Sequence, residues 1–206
     1  MQVKTAMVTA PKTTLARKIF PLTLLLLLTL TACAGVNSAE EKMLDVRANL
    51  LAAEVITLDV SLRLDYGARV FDYEFRYSGG AEDGTVTITA PASISGITAR
   101  VSGGGAEIRW NGVALDTGPL VNRISPAAIV PLLFAEWRGG YVDTASLTRG
   151  DADTGERQTL VMTSELTRSA RQQTYFDAET LLPTGAEISE NGRTVIYAVF
   201  TDIKLG

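Results

Sequence analysis

Two stretches decide the architecture: ITLDVSLRL at residues 56–64 and FDYEFRY at residues 71–77. In the first, Ile56, Leu58, Val60, Leu62 and Leu64 alternate with Thr57, Asp59, Ser61 and Arg63. In the second, Phe71, Tyr73, Phe75 and Tyr77 alternate with Asp72, Glu74 and Arg76. An apolar period of two puts every second side chain on one face of an extended chain, so both stretches read as half-buried β-strands. The carboxylates Asp59, Asp72 and Glu74 fall in the polar phase and are expected to face solvent.

Outward from this pair the same rhythm continues. Gly79 to Gly84 reads as a turn. Val86 and Ile88 begin a third strand, ended by Pro91, and Ile97, Ala99 and Val101 mark a fourth, ended by Gly103 to Gly105. Ile108 and Trp110 precede Asn111-Gly112, a dipeptide suited to a two-residue type I′ hairpin, and Val113 and Leu115 follow it. Strands are expected again near 141–149, 156–164 and 170–177. The last hairpin runs from Glu187, Ile188 and Ser189 through Asn191-Gly192 to a long closing strand with Val195, Tyr197, Val199 and Ile203. Short turns join antiparallel neighbours. The pattern predicts a mainly β chain of about eleven antiparallel strands.

Two segments break the period. Ser38 and Glu41 have the spacing of a capping box, and Ala39, Met43, Val46, Leu50 and Ala53 form one stripe of an amphipathic helix over 38–53. Ser125-Pro126 reads as a second helix start. From Ala127 to Trp137 this helix is apolar on nearly every side, with Pro131 inside, expected to split it, and Gly139 ending it. Such a helix demands burial all round and is too short to span a bilayer. It reads as a plug or a lid against the sheet.

The first residues carry Lys4, Lys12, Arg17 and Lys18 and no acid, followed by an apolar run from Ile19 to Leu30. At about a dozen residues the run has the length of a signal-peptide core. It ends in Leu30-Thr31-Ala32-Cys33, which resembles the lipobox of bacterial lipoproteins. The resemblance implies cleavage before Cys33, lipid on that cysteine and retention on the extracytoplasmic face of a membrane. More than one acyl chain makes such an anchor stable. Ala34 follows, where an Asp would favour the inner membrane of a two-membrane cell, so the outer one is mildly favoured. The expected organisation is a signal peptide over 1–32, a lipidated cysteine and short tether over 33–37, and one β domain over 38–206. Four extended tether residues reach about 14 Å, which keeps the domain close to the membrane.

The whole chain has a formal net charge of −4, and loss of the four basic residues near its start makes the remainder more negative still. That argues against nucleic acid, which requires a basic face. There is no histidine and Cys33 is the single cysteine. Ser-His-Asp and Cys-His catalysis, the usual zinc sites and an internal disulfide are thereby excluded. No convincing catalytic set remains, and the chain is read as a non-enzyme with no cofactor. Asp151, Asp153 and Glu156 resemble the opening of a calcium loop, but Gly155 stands one place early and no closing acid follows, so a solvated turn is expected. Gly103 to Gly105 lacks the lysine of a phosphate loop and reads as a turn.

The layout resembles the LolA/LolB-like superfamily of bacterial lipoproteins and lipoprotein carriers. The most specific likeness is Tyr175-Phe176-Asp177, Leu181-Leu182-Pro183, Ala186-Glu187-Ile188, Asn191-Gly192 and Phe200-Thr201-Asp202-Ile203. In that family an aromatic strand reaches an acidic turn, a proline opens the next strand, and the last strand carries a phenylalanine and an acid. The resemblance implies an incompletely closed, strongly curved antiparallel barrel with short helices on its concave side. It also implies binding of a lipid or a lipoprotein's acyl group, or docking of an envelope protein, as clostridial germination lipoproteins do for a cortex-cleaving amidase. No leucine-bearing loop matches the insertion element of the outer-membrane receptor. The expected ligand wall is Phe71, Tyr73, Phe75 and Tyr77 with Ile129, Leu133 and Phe134. The competing reading of the same aromatic row is plain core packing, and a cavity wall in such a fold is also its core.

Overall fold

The alternation over residues 56–64 forms strand β1 (Ile56–Asp65), and FDYEFRY lies within β2 (Val70–Gly79), in a computed structural model that describes residues 38–80, 83–102, 105–110, 113–119, 129–149 and 157–206. The other strands are β3 (Asp83–Ala90), β4 (Thr98–Ser102), β5 (Gly105–Trp110), β6 (Val113–Pro119), β7 (Thr144–Arg149), β8 (Gln158–Glu165), β9 (Ala170–Asp177), β10 (Pro183–Glu190) and β11 (Arg193–Leu205). Two helices are described, α1 (Ser38–Ala52) and α2 (Ile129–Gly139). The described elements belong to one unit, Ser38–Gly206. The signal segment, Cys33 and its tether, the Ser125-Pro126 start, Asn111-Gly112 and the acidic turn at 151–156 lie outside the described residues.

All strand pairs are antiparallel, in the order β6-β5-β4-β3-β2-β1-β11-β10-β9-β8-β7. The sheet is thus two meanders of consecutive strands joined where the first strand meets the last. β6 and β7 form its two edges, and among the described residues the sheet is not closed. The fold class is mainly β and antiparallel, as expected.

Strand pairing carries the period of two across the sheet. Val60 stands opposite Phe75 on one side and Phe200 on the other, and Leu62 opposite Tyr73 and Ala198. The same face continues through Ala186 and Ile188 on β10 to Thr174 and Gln172 on β9. Both helices pack on this inner face. In α1, Ala39, Val46 and Leu50 are buried, the stripe read from the sequence, and Met43 packs against the core. In α2, Ile129, Val130, Leu133, Phe134 and Trp137 are buried in the same cluster. Burying each such side chain contributes about 1.5–3 kcal/mol.

The outer face holds the polar phase. Arg76 grips Asp59, its registered partner on β1, through two hydrogen bonds of 2.7 and 2.8 Å. Hydrogen bonding by Arg76 holds the Asp59 carboxyl below the usual range. Arg63 and Asp72 face each other in the same way at 3.6 Å.

One expectation is corrected. Pro131 does not split α2, which is continuous from Ile129 to Gly139, the fixed φ of proline being itself helical. In β11 the buried side chains are Ile196, Ala198 and Phe200, whereas Tyr197 is exposed and Val195 and Val199 are only half-buried. Both phases of that strand are apolar, and pairing with β1 and β10 selects between them. The final hairpin turns as expected: Asn191 and Gly192 have φ of 51° and 79°, the paired positive values of a type I′ turn.

Candidate functional site

The aromatic row of β2 runs from the interior to the surface. Tyr77 and Phe75 are 0% and 2% exposed, Tyr73 is half-buried, and Phe71 is 38% exposed. The β1 residue opposite Phe71 is Leu64, which is buried. At the open end the rings form a ladder. Phe71 stacks on Tyr73 at 6.3 Å between centroids, and Tyr66, itself exposed, meets Phe71 edge-on at 6.1 Å. The inner face therefore presents a graded aromatic path, with its outermost rings in water.

The inner end of that path is fixed by Tyr77. Its hydroxyl donates to the Gly80 carbonyl at 2.6 Å. Burial, with a smaller contribution from the Asp83 carboxylate, pushes this phenol up to about 12. Gly84 makes room for the ring, because a Cβ there would run into the Tyr77 side chain.

Of the expected ligand wall, Phe75, Tyr77, Ile129, Leu133 and Phe134 fall in one apolar cluster and Tyr73 packs against it, whereas Phe71 lies outside. The lipidation candidate Cys33 lies outside the described residues.

Helix α2 is held over this face by Trp137. The indole packs edge-to-face on Phe176 at 5.6 Å and on Phe200 at 5.5 Å, and its N–H donates to Thr174 Oγ1 at 2.9 Å. At the same, C-terminal end of α2, Arg47 of α1 donates to the Gly140 carbonyl. The Arg138 guanidinium sits 5.5 Å from the Phe134 ring centroid.

Sequence reasoning missed three buried polar side chains on the inner face: Ser164, Gln172 and Thr174. Gln172 and Thr174 share a face with buried Phe176, and that phase was the available signal. The adjacent Tyr175 obscured it by offering an aromatic on the opposite phase. Among the described residues these are the only buried polar or charged side chains.

The outer face carries a groove of about 450 Å³ lined in part by Ser61, Arg63, Asp72, Glu74, Tyr197 and Val199. Among the described residues no three potential metal ligands come together, and no helix is long and apolar enough to cross a membrane.

No family model matches the chain, and no curated protein matches it. Solved structures do. The chain is similar to LolA superfamily and lipoprotein-sorting structures. One is a LolA superfamily protein from Nitrosomonas europaea, 14% identical, covering 82% of this chain and 93% of that one with a TM-score of 0.42. Another is a putative outer membrane lipoprotein-sorting protein domain from Vibrio parahaemolyticus, 8% identical, covering 82% and 92% with a TM-score of 0.44. A third is the structure of the CwlD amidase from Clostridioides difficile in complex with the GerS lipoprotein, 13% identical, covering 81% and 95% with a TM-score of 0.43.

Proposed function

We propose that this chain is an extracytoplasmic lipoprotein, anchored in a membrane of the cell envelope by lipid on Cys33, that binds a lipid or the acyl group of a lipoprotein against the inner face of its sheet. The organisation that goes with this reading is a signal peptide over 1–32, a lipidated cysteine and tether over 33–37, and a single binding domain over 38–206. It is a binding protein and performs no chemistry of its own.

The observation that carries the reading is the graded aromatic row. A plain core has no reason to run its aromatic face out to stacked rings in water, whereas an acyl chain entering from solvent needs such a path. Phe71, Tyr73, Phe75 and Tyr77 are the proposed wall on the sheet, and Ile129, Leu133 and Phe134 the wall on α2. In this reading α2 is a lid: it is apolar, belongs to the same buried cluster as Phe75 and Tyr77, and is tied to β9 by the Trp137 hydrogen bond.

Native mass spectrometry of the gently purified full-length protein tests this. A bound mass released by organic solvent is the expected result. A clean unliganded mass, together with no uptake of added lipid, overturns it. The intact mass of the anchored protein also reads the modification at Cys33 directly.

The outer-face groove favours a second reading, a lipoprotein that docks or regulates an envelope enzyme such as a germination-type amidase. Its lining mixes two acids and an arginine with Tyr197 and Val199, the mixture of charge and aromatic area that suits a protein contact. A pull-down from solubilised envelope that Tyr197→Ala abolishes supports this reading. Enrichment of no stoichiometric partner counts against it.

A further inference from the structure

The polar group at the foot of the inner face is one hydrogen bond short. Thr174 Oγ1 accepts from Trp137 Nε1 at 2.9 Å and from Gln172 Nε2 at 3.1 Å. With its Nε2 committed to Thr174, the Gln172 amide turns its Oε1 away from that pair. Gln172 is 2% exposed, and its Oε1 has no partner. A buried amide oxygen without a donor is costly, and natural interiors rarely leave one.

The chemistry of that oxygen limits what can complete it. An amide oxygen only accepts, so the missing group is a donor. The buried polar groups beside it are uncharged. Ser164 stands directly opposite Gln172 on β8, and Thr174 lies two residues along β9 on the same face. A carboxylate or phosphate has no proton to give Oε1. A hydroxyl or an amide N–H does.

The row leading away from Gln172 is apolar. Its registered neighbours across the sheet are Ile188, Ile196, Leu64 and then Phe71. Four strand spacings separate Gln172 from Phe71, a path of about 19 Å along the sheet. The polar end lies under α2, and the apolar row ends at the Tyr66–Phe71–Tyr73 ladder.

We infer that Gln172, with Ser164 opposite it, is the polar anchor of the acyl site and selects an uncharged lipid with a free hydroxyl, of the acylglycerol class, over a free fatty acid. This rests on the lipid-binding reading above and names the substrate class of that site. The hydroxyl donates to Gln172 Oε1, and the acyl chain follows the row toward Phe71.

The test compares three probes of one chain length, 1-monooleoylglycerol, methyl oleate and oleate, by competition on the full-length protein held in an amphipathic polymer. The wild-type protein is expected to prefer 1-monooleoylglycerol by about tenfold over methyl oleate, the effect of one hydrogen bond to a buried acceptor. Oleate should bind no better than methyl oleate. In Gln172→Met, which keeps side-chain length and removes the acceptor, the preference should collapse while methyl oleate binding persists. Equal binding of the two neutral probes by the wild type overturns the anchor while leaving the lipid reading intact, and that comparison requires no variant. A preference that survives Gln172→Met overturns it equally, because another group then recognises the hydroxyl. Binding of none of the three overturns both proposals.

Discussion

Trp137 donates its indole N–H to Thr174 Oγ1 at 2.9 Å, the directional contact that sets α2 on β9. The indole also packs on Phe176 and Phe200, so one residue combines apolar packing with a polar tie. These contributions are separable. Trp137→Phe keeps an aromatic ring and deletes the donor, with an expected cost of about 1 kcal/mol. Trp137→Ala also empties the space between the rings, at about 3–5 kcal/mol. Urea unfolding measures both. Equal losses in the two variants would mean that the hydrogen bond, rather than the packing, dominates.

Phe75 and Phe71 share a face and differ in depth, so truncation should separate fold from function. Phe75→Ala is expected to cost about 3–5 kcal/mol in stability. Phe71→Ala should leave the unfolding midpoint nearly unchanged and still weaken uptake of a fluorescent acyl probe. Unaltered uptake in Phe71→Ala would remove the solvent-facing end of the row from the site.

Tyr77 should shape the alkaline limb of stability. Its phenol is raised to about 12 by burial and by Asp83, against about 10 in the unfolded chain. A group whose folded value is raised stabilises fully below its unfolded value, and that contribution is lost as pH climbs from about 10 to about 12. Tyr77→Phe should therefore lose stability near neutral pH, where the bond to Gly80 is missing, and show a flatter decline above about pH 10. Denaturant titrations across that range measure it. An unchanged alkaline slope would assign the decline to other groups.

Asp177 governs the opposite limb. Its Oδ1 accepts from the backbone N–H groups of Thr180 at 2.8 Å and Glu179 at 2.9 Å. These bonds, Thr180's foremost, hold its carboxyl below the usual range against the opposing effect of burial. The stabilisation is present above the unfolded value of about 3.9 and disappears as pH falls through the lower folded value. Asp177→Asn retains an acceptor for the turn and has no carboxyl to protonate. It should be close to neutral at pH 7 and flatten the acid limb below about pH 4. An acid limb identical to the wild type's would exclude Asp177 as a contributor.

Where one phase of a strand was apolar and the other polar, the sequence was readable. β1 and the inner half of β2 follow their alternation, and Asn191-Gly192 turns as its dipeptide predicts. Legibility fails where the rule has two solutions. β11 offers Val195, Tyr197 and Val199 on one face and Ile196, Ala198 and Phe200 on the other, and only neighbouring strands choose between them. It fails again at β9, where Gln172 and Thr174 are buried because Trp137 arrives from a helix distant in sequence. The candidate site was thus half visible. Its apolar wall followed from periodicity, while its polar foot depended on tertiary partners that a local pattern does not contain.

The seam between β1 and β11 has a consequence for how the chain is made. Val60 is paired with Phe200, so the strand that opens the sheet waits for the strand that ends it. Either meander can assemble from local contacts, but their union pairs strands far apart in sequence. Pairing across so long a stretch is entropically slow. A polypeptide with this wiring keeps its first strand half-paired until β11 is free to join it.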